Sequence, residues 1–282
     1  MTAVPTSGAA ADPRRRRPAI GLIAGLVILG LSLLTAFLPG LVAPHDPLSF
    51  DYKAILHGPS LVHPFGTDNF GRDMLSRVIW AYRIDMQIAV FTTLFPILFG
   101  TMVGALVGFY DGIAAQIFGR IVDAVITFPF IVLVIAIVAV LGPGLGNMYI
   151  AVGMVGWVFY ARLIAAEMRV QMRLDYAAAG RVLGYGDVRI IVRHLLPNAI
   201  GPVLVYWMTD MALSILLGSA LGYLGLGARP PAAEWGVLIA DGKNFMTTAW
   251  WMTIFPGVAI VLTGLGFSLL GDAVAELLRP RR

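Results

Sequence analysis

The chain has 282 residues, of which 59% are hydrophobic and only 13% are charged, and its mean hydropathy is +0.83. A soluble domain would carry about twice that charged fraction, so the composition excludes an ordinary soluble protein and favours a membrane protein. The formal net charge is +4, and the absence of cysteine excludes disulfides, thiolate metal ligands and a thiol nucleophile.

Six apolar windows are long enough to cross a bilayer as helices, which takes about 20 residues. They are residues 20–38, 86–109, 121–141, 148–165, 199–221 and 251–270. A backbone inside hydrocarbon must satisfy its own hydrogen bonds, so runs of this length predict helices rather than the shorter alternating strands of a barrel. The predicted fold class is therefore all-α, a polytopic membrane protein with six transmembrane helices.

The first window follows four arginines at Arg14, Arg15, Arg16 and Arg17, a layout that secretory signal peptides share. A signal peptide has an apolar core of roughly 7 to 15 residues, whereas residues 20–38 run on without a charge. This favours a retained first span, with a signal peptide as the alternative. The chain then divides into residues 1–85 (N-terminus, first span and external loop), a core of five spans at 86–275, and a tail at 276–282.

The polar stretch between the first two windows contains His45, His57 and His63 among several aspartates. Their spacing matches no compact metal-ligand motif, and no second histidine lies one helical turn away from any of them. We therefore expect ordinary loop histidines and no metal site.

The second window carries Gly100, Gly104 and Gly108, one at every fourth position. This repeat places the glycines along one face of a helix, where another backbone can approach closely. The pattern predicts a helix-packing seam, although glycine is also common in membrane helices.

A polar, arginine-rich segment at 167–197 separates the fourth and fifth windows. Its run of small residues predicts a short helix with a low-relief face that fits a groove on another protein, and Gly184 should end that helix. The candidate partner-contacting residues are Asp175, Ala178, Ala179, Gly180, Arg181, Gly184 and Pro197. A solvated loop without a partner is the alternative.

Asp210 lies near the middle of the fifth window with apolar neighbours on both sides. An aspartate at that depth costs about 2.5 to 3.5 kcal/mol on insertion scales, so it should face the bundle interior or a water-filled path. Two roles are open: a residue that lines a translocation pathway, or one side of an interhelical hydrogen bond.

The basic residues predict the orientation, because they accumulate on the cytoplasmic side of bacterial inner-membrane proteins. With the N-terminus inside, the inner segments hold Arg14, Arg15, Arg16, Arg17, Arg120, Arg162, Arg169, Arg173, Arg181, Arg189, Arg193, Arg279, Arg281 and Arg282. Both termini are therefore predicted to be cytoplasmic. The spans are predicted to contact membrane lipid. This asymmetry accounts for the pI of 9.6 without nucleic-acid binding.

The polar segment resembles the EAA signature of the membrane subunits of ABC importers, which reads Glu-Ala-Ala, a short spacer, Gly, and later Leu-Pro. The matching residues are Ala179, Gly180, Gly184, Leu196 and Pro197, while Ala178 stands in place of the glutamate. Three more segments resemble the peptide-type branch, the DppC/OppC-like permeases. Residues 63–73 resemble its GTDxxGRD motif, residues 221–236 its LSFLGLG-PP-WG loop, and residues 270–280 its GD-L-DP ending, although Arg279 stands where aspartate is common.

The resemblance implies a type I importer with the MetI-like permease fold and a substrate among the di- and oligopeptides. It also implies the partners: a paralogous DppB/OppB-like permease, two ATPase subunits that use ATP and magnesium, and an extracytoplasmic solute-binding protein. The sequence independently lacks a phosphate-binding G-x-x-x-x-G-K-[ST] motif, so we expect no enzyme activity and no cofactor in this chain. In this mechanism, a helix at about 175–184 docks on an ATPase subunit and moves the spans as rigid bodies.

Other functions are also compatible with the sequence. Related importers carry nickel, glutathione, opines or oligosaccharides. A secondary transporter or channel could use Asp210 to bind a proton or cation. An integral membrane enzyme is disfavoured because the windows contain no histidine pair, paired carboxylates or Ser-His arrangement.

Overall fold

The computed structural model describes residues 16–110 and 112–278. The helices in these ranges are α1 (Arg16–Phe37), α2 (Pro39–Val42), α3 (Met74–Phe109), α4 (Ile113–Thr127), α5 (Phe130–Leu141), α6 (Leu145–Met172), α7 (Asp175–Val182), α8 (Asp187–Arg189), α9 (Leu196–Ala199), α10 (Gly201–Tyr223), α11 (Trp235–Gly242) and α12 (Trp251–Leu277). A π-helix, Ile190–Leu195, joins α8 to α9, and a 3-10 turn, Lys243–Phe245, follows α11. In the same ranges, β pairing is limited to one bridge between Thr67 and Asp73. The all-α prediction is confirmed.

Five helices are long and apolar enough to cross a membrane: α1, α3, α6, α10 and α12. The predicted third span, 121–141, is not one helix, because α4 and α5 meet at a bend of 88°. Pro129 causes the break, since it lacks an N–H and disfavours helical backbone at the preceding residue. Phe128 is accordingly extended, with φ −81° and ψ 139°. Counting this bent pair as one broken span gives the predicted six.

Helix α3 begins at Met74, well before the predicted start of the second window at residue 86, and is 36 residues long. Asp73 caps it, because its carboxylate accepts a hydrogen bond from the Ser76 N–H at 2.8 Å. The hydropathy window began too late because Arg77, Arg83 and Asp85 interrupt the apolar pattern. The division drawn at residue 85 therefore falls inside a continuous helix.

The glycine seam of α3 packs against α6. A Cβ atom built on Gly100 would lie 2.7 Å from the Cβ atom of Tyr160, and one built on Gly108 would lie 2.7 Å from the carbonyl oxygen of Ala165. At Gly104 a Cβ atom would collide with the carbonyl oxygen of Ala161. The two backbones are thus in direct contact along the seam, which only glycine permits.

A loop cap, defined as residues 43–73 and 228–250, covers the end of the bundle where α3 begins. Asp68 is its buried centre and accepts hydrogen bonds from Arg72 Nε at 2.6 Å and from the Arg77 guanidinium. Arg77 also lies 3.6 Å from Asp241, and burial raises the pKa of Asp241 while Arg77 and Arg72 oppose that rise. The 63–73 motif in the first part of the cap and Asp241 in the second part thus meet in one network of ion pairs.

Two carboxyl groups, Asp85 of α3 and Glu234 of the loop cap, are both fully buried. Asp85 Oδ2 accepts a hydrogen bond from the Trp235 N–H at 3.2 Å, and Glu234 accepts hydrogen bonds from the Gly236 and Val237 N–H groups at 2.7 and 2.9 Å. Burial raises the pKa of Glu234 from 4.5 to about 7.

We expect Glu234→Gln to reduce a pH dependence of stability. Since burial raises the pKa of Glu234 in the folded state, protonation of this carboxyl group stabilises the fold fully below pH 4.5, and this contribution is lost as pH rises through about 7. The loss should be about 3 kcal/mol. A glutamine amide does not titrate in this range, so the melting temperature of the variant should depend much less on pH between 5 and 8.

Thermal unfolding in detergent across this pH range measures the effect. The exposed Asp272 provides the matched control, since Asp272→Asn should leave the wild-type pH dependence in place. An equally steep pH dependence in Glu234→Gln would contradict the role of Glu234.

Candidate functional site

The coupling segment, residues 167–197, lies at the end of the bundle opposite the loop cap. Its short helix α7 lies between α6 and α8. Ala177 and Gly180, three positions apart, are the buried residues of α7. A Cβ atom on Gly180 would lie 3.7 Å from both Ile190 and Tyr185, so the small residues let α7 lie flat on the following segment.

The other predicted partner-contacting residues lie on the outer surface of this helix. Asp175, Ala178, Ala179 and Arg181 are all exposed, and Asp175 lies in the first turn, where a carboxylate is favourable. The structure therefore divides the predicted residues of α7 into two groups. Gly180 faces the bundle, and Asp175, Ala178, Ala179 and Arg181 face away from it.

Helix α7 ends in a Schellman motif at Gly184. The Gly184 N–H donates to the Arg181 carbonyl at 3.0 Å, and the Tyr185 N–H donates to the Gly180 carbonyl at 3.1 Å. Gly184 has φ +73°, a left-handed conformation that glycine adopts without strain. The chain then turns into α8, and the Tyr185 ring stacks on His194 at 5.4 Å.

Replacing Gly184 with alanine should loosen the end of α7, because a side chain in the left-handed region costs roughly 1–2 kcal/mol. Faster amide hydrogen exchange across residues 175–185 would report the change. Gly186→Ala is the matched control, since Gly186 has φ −68° and open space around it. Equal exchange rates in the two variants would contradict the role of Gly184.

Pro197 lies just after the π-helix, at the first turn of α9. Because proline has no N–H, the helical hydrogen-bond ladder is interrupted here, and the Leu196 N–H bonds to the Ile191 carbonyl in the wider π pattern. The Asn198 side chain donates to the His194 carbonyl at 2.6 Å. These contacts join the coupling segment to α10 through a nearly continuous helical path.

The coupling segment presents aliphatic side chains to its surroundings. Val182 is 88% exposed, Leu183 67% and Val188 73%. They lie beside Arg181 and Asp187, outside the candidate spans. A cluster of exposed apolar side chains at a polar end of a bundle is typical of a protein-binding surface.

The segment is also fixed to the end of α3. The Tyr110 hydroxyl donates a hydrogen bond to Asp187 at 3.0 Å, and the Arg181 guanidinium lies 5.8 Å from the Phe109 ring centroid. Arg169, Arg173 and Arg181 line a cleft of about 550 Å³ at this junction. Displacement of α7 therefore acts on α3 and α6 directly.

Asp210 lies on α10 and is partly buried. The Tyr160 hydroxyl of α6 donates a hydrogen bond to its carboxylate at 2.6 Å. Asp210 also lines a cavity of about 430 Å³ between α3, α5, α6 and α10, with Thr92, Phe159 and Tyr206 among the other lining residues. Asp210 therefore makes the interhelical hydrogen bond that was one of its two predicted roles, and it also lines a cavity.

Sequence reasoning missed Tyr160, which is fully buried, because a tyrosine in an apolar window gives no sign of what it contacts. Tyr160 belongs to one hydrophobic cluster with Ile164 and Met168 of α6, and this cluster continues to Ala177 and Ile190 of the coupling segment. One packed core thus extends from the partner of Asp210 to the underside of α7.

Comparisons with known proteins give consistent matches. The sequence model of the family described as "Binding-protein-dependent transport system inner membrane component" matches residues 97–282. The chain is 37% identical over 266 residues to the glutathione transport system permease protein GsiD of Pectobacterium atrosepticum, covering 94% of this chain and 88% of that protein.

Two further relatives have dipeptide names. The dipeptide transport system permease protein DppC of Alkalihalophilus pseudofirmus is 37% identical over 263 residues, covering 91% of this chain and 86% of the relative. The probable D,D-dipeptide transport system permease protein DdpC of Escherichia coli K12 is 37% identical over 263 residues, covering 92% and 87%. The similarity therefore extends over nearly the whole of each protein.

Proposed function

The chain belongs to the family of binding-protein-dependent transport system inner membrane components, and on that premise we propose that it is one of two permease subunits of an ATP-driven importer of di- or oligopeptides. The dipeptide and glutathione names of its relatives support a substrate with peptide bonds. Glutathione, nickel or another small solute is the alternative within the same family.

The observation that carries the proposal is the exposed aliphatic surface of α7 and α8 on top of a packed core. Val182, Leu183 and Val188 are exposed, while Ala177 and Ile190 below them belong to the core that reaches Tyr160. A partner protein that covers the outer surface can therefore push on α6 through close-packed side chains. Helix α6 carries Tyr160, which donates a hydrogen bond to Asp210.

In the proposed mechanism, this surface docks in a cleft of an ATPase subunit, which binds ATP and magnesium. Closure of the ATPase pair moves α7, and the spans follow as rigid bodies. Half of the pathway is formed by this chain and half by a paralogous permease. Asp210, in the cavity of about 430 Å³, lines the pathway and presents a carboxylate to a solute's positively charged amino group.

The proposed orientation places both termini and the coupling segment in the cytoplasm and the loop cap outside, facing an extracytoplasmic solute-binding protein. The distribution of arginines supports this, since Arg169, Arg173, Arg181, Arg189 and Arg193 all lie in the coupling segment. At the end of the bundle that carries the loop cap, the buried Arg72 and Arg77 are paired with Asp68 instead.

Purification of the tagged chain from its natural membranes in mild detergent tests the proposal. Mass spectrometry should identify a paralogous permease and P-loop ATPases, and the eluate should hydrolyse ATP. A co-purifying binding protein would narrow the substrate. Isolation of the chain alone, with proton-driven uptake in liposomes that Asp210→Asn abolishes, would overturn the importer and support a secondary transporter.

A further inference from the structure

Two histidines and an aspartate from separate parts of the loop cap meet at the start of α3. His45 follows α2, His63 lies in the turn before Gly66, and Asp73 is the cap of α3. One ligand atom from each lies within 4.8 Å of the other two. His63 Nδ1 is 3.0 Å from Asp73 Oδ1, and His45 Nδ1 is 3.7 Å from Asp73 Oδ2.

We propose that His45, His63 and Asp73 form a binding site for a divalent transition-metal ion of the zinc, nickel and cobalt class. Ligands about 2.1 Å from a tetrahedral ion are separated by about 3.4 Å. The two measured separations, 3.0 and 3.7 Å, bracket this value, so small side-chain rotations would complete the site. Two imidazoles and one carboxylate favour these metals over magnesium or calcium, which prefer oxygen ligands.

The ligands are already held in place by a second set of hydrogen bonds through Ser76. The Ser76 N–H and hydroxyl both donate to Asp73 Oδ2, at 2.8 and 2.7 Å, and the backbone N–H of His45 donates to the Ser76 hydroxyl oxygen at 3.0 Å. Outer hydrogen bonds of this kind orient metal ligands and raise their affinity.

The solvent exposure of the three ligands increases from Asp73 through His63 to His45. The side chains of Asp73, His63 and His45 are 1%, 17% and 39% exposed. His45 also borders a cavity of about 560 Å³ that Trp80 and Arg83 help to line. An ion can therefore enter from the cavity side and keep water or another small ligand in its remaining coordination position. Binding releases the proton on His63 Nδ1.

A bound ion would connect three segments of the loop cap: the residues that follow α2, the turn at His63 and the residue that caps α3. Because the ion binds the folded cap and not the unfolded chain, it should raise the melting temperature. The sequence concealed the site because His45, His63 and Asp73 are far apart along the chain and share no helix or hairpin.

The test uses the full chain in detergent, purified through a tag without histidine and treated with a chelator. Titration with Co²⁺ should give ligand-field absorption bands that saturate at one ion per chain, and Zn²⁺ should displace Co²⁺ and raise the melting temperature. His45→Ala and His63→Ala should each weaken Co²⁺ binding at least tenfold.

The remaining histidines, His57 and His194, supply matched controls, since neither belongs to the cluster. His57→Ala and His194→Ala should bind Co²⁺ as the wild type does. His45 is partly exposed, so His45→Ala should melt like the wild type without metal, which separates loss of binding from loss of folding. Binding only at millimolar metal, or binding that survives in His45→Ala, would overturn the site.

Discussion

Replacing Gly104 with alanine is expected to destabilise the fold by about 1–3 kcal/mol, and replacing it with leucine should prevent folding. The reason is that the new Cβ atom would lie against the backbone of α6, at the Ala161 carbonyl oxygen and 2.7 Å from Ala161 Cα. A backbone cannot rotate away as a side chain can, so α3 and α6 would have to separate along the whole seam.

Thermal unfolding and size-exclusion chromatography of the purified variants measure this effect. Gly30→Leu is the matched control, because Gly30 is an exposed glycine of α1 with no atom near its Cβ position. A Gly104→Leu variant that elutes and melts like the wild type would contradict the close approach of the two helices.

The double change Val182→Lys and Leu183→Lys should separate the chain from the proposed ATPase partner. Each substitution places a charge in an apolar contact, at a cost of about 2 kcal/mol when the residue is central to an interface. Together they should weaken association about a thousandfold. Lysine is chosen because a cation is favourable at the end of a helix, so α7 itself should remain folded.

Co-purification of ATPase subunits and transport-coupled ATP hydrolysis measure the result. Leu61 and Val62 form the control pair, since they are also adjacent, aliphatic and exposed but lie in the loop cap. Their double lysine variant should retain the ATPase subunits. If the Val182 and Leu183 variant retains them equally, this surface is not the docking site.

Most of the helical architecture was predictable, because apolar windows report the thickness of the bilayer directly. The windows did not predict the length of α3, since its first turns pack against the loop cap, where Arg77 and Asp85 find buried partners. They also missed the break at Pro129. Proline is tolerated in many membrane helices, so only its contacts decide whether a span bends or breaks.

For the candidate sites, the sequence predicted which types of residue are present better than it predicted the direction in which their side chains point. Small residues at 177–180 predicted α7, but the outward orientation of Ala178 and Ala179 depends on packing against Ile190 and Tyr185. The Tyr160 partner of Asp210 and the meeting of His45 with His63 both join segments distant in sequence. Local periodicity contains no information on such contacts.

The length of α3 has a mechanical consequence. At 36 residues it is about 54 Å long, against a hydrocarbon layer of about 30 Å, and it connects the Asp73 cap at one end with the Tyr110 contact to Asp187 at the other. A tilt of about 10° around its centre would move each end by about 5 Å. Helix α3 is therefore a lever arm, which can carry a displacement across the full width of the membrane without a relay of intermediate parts.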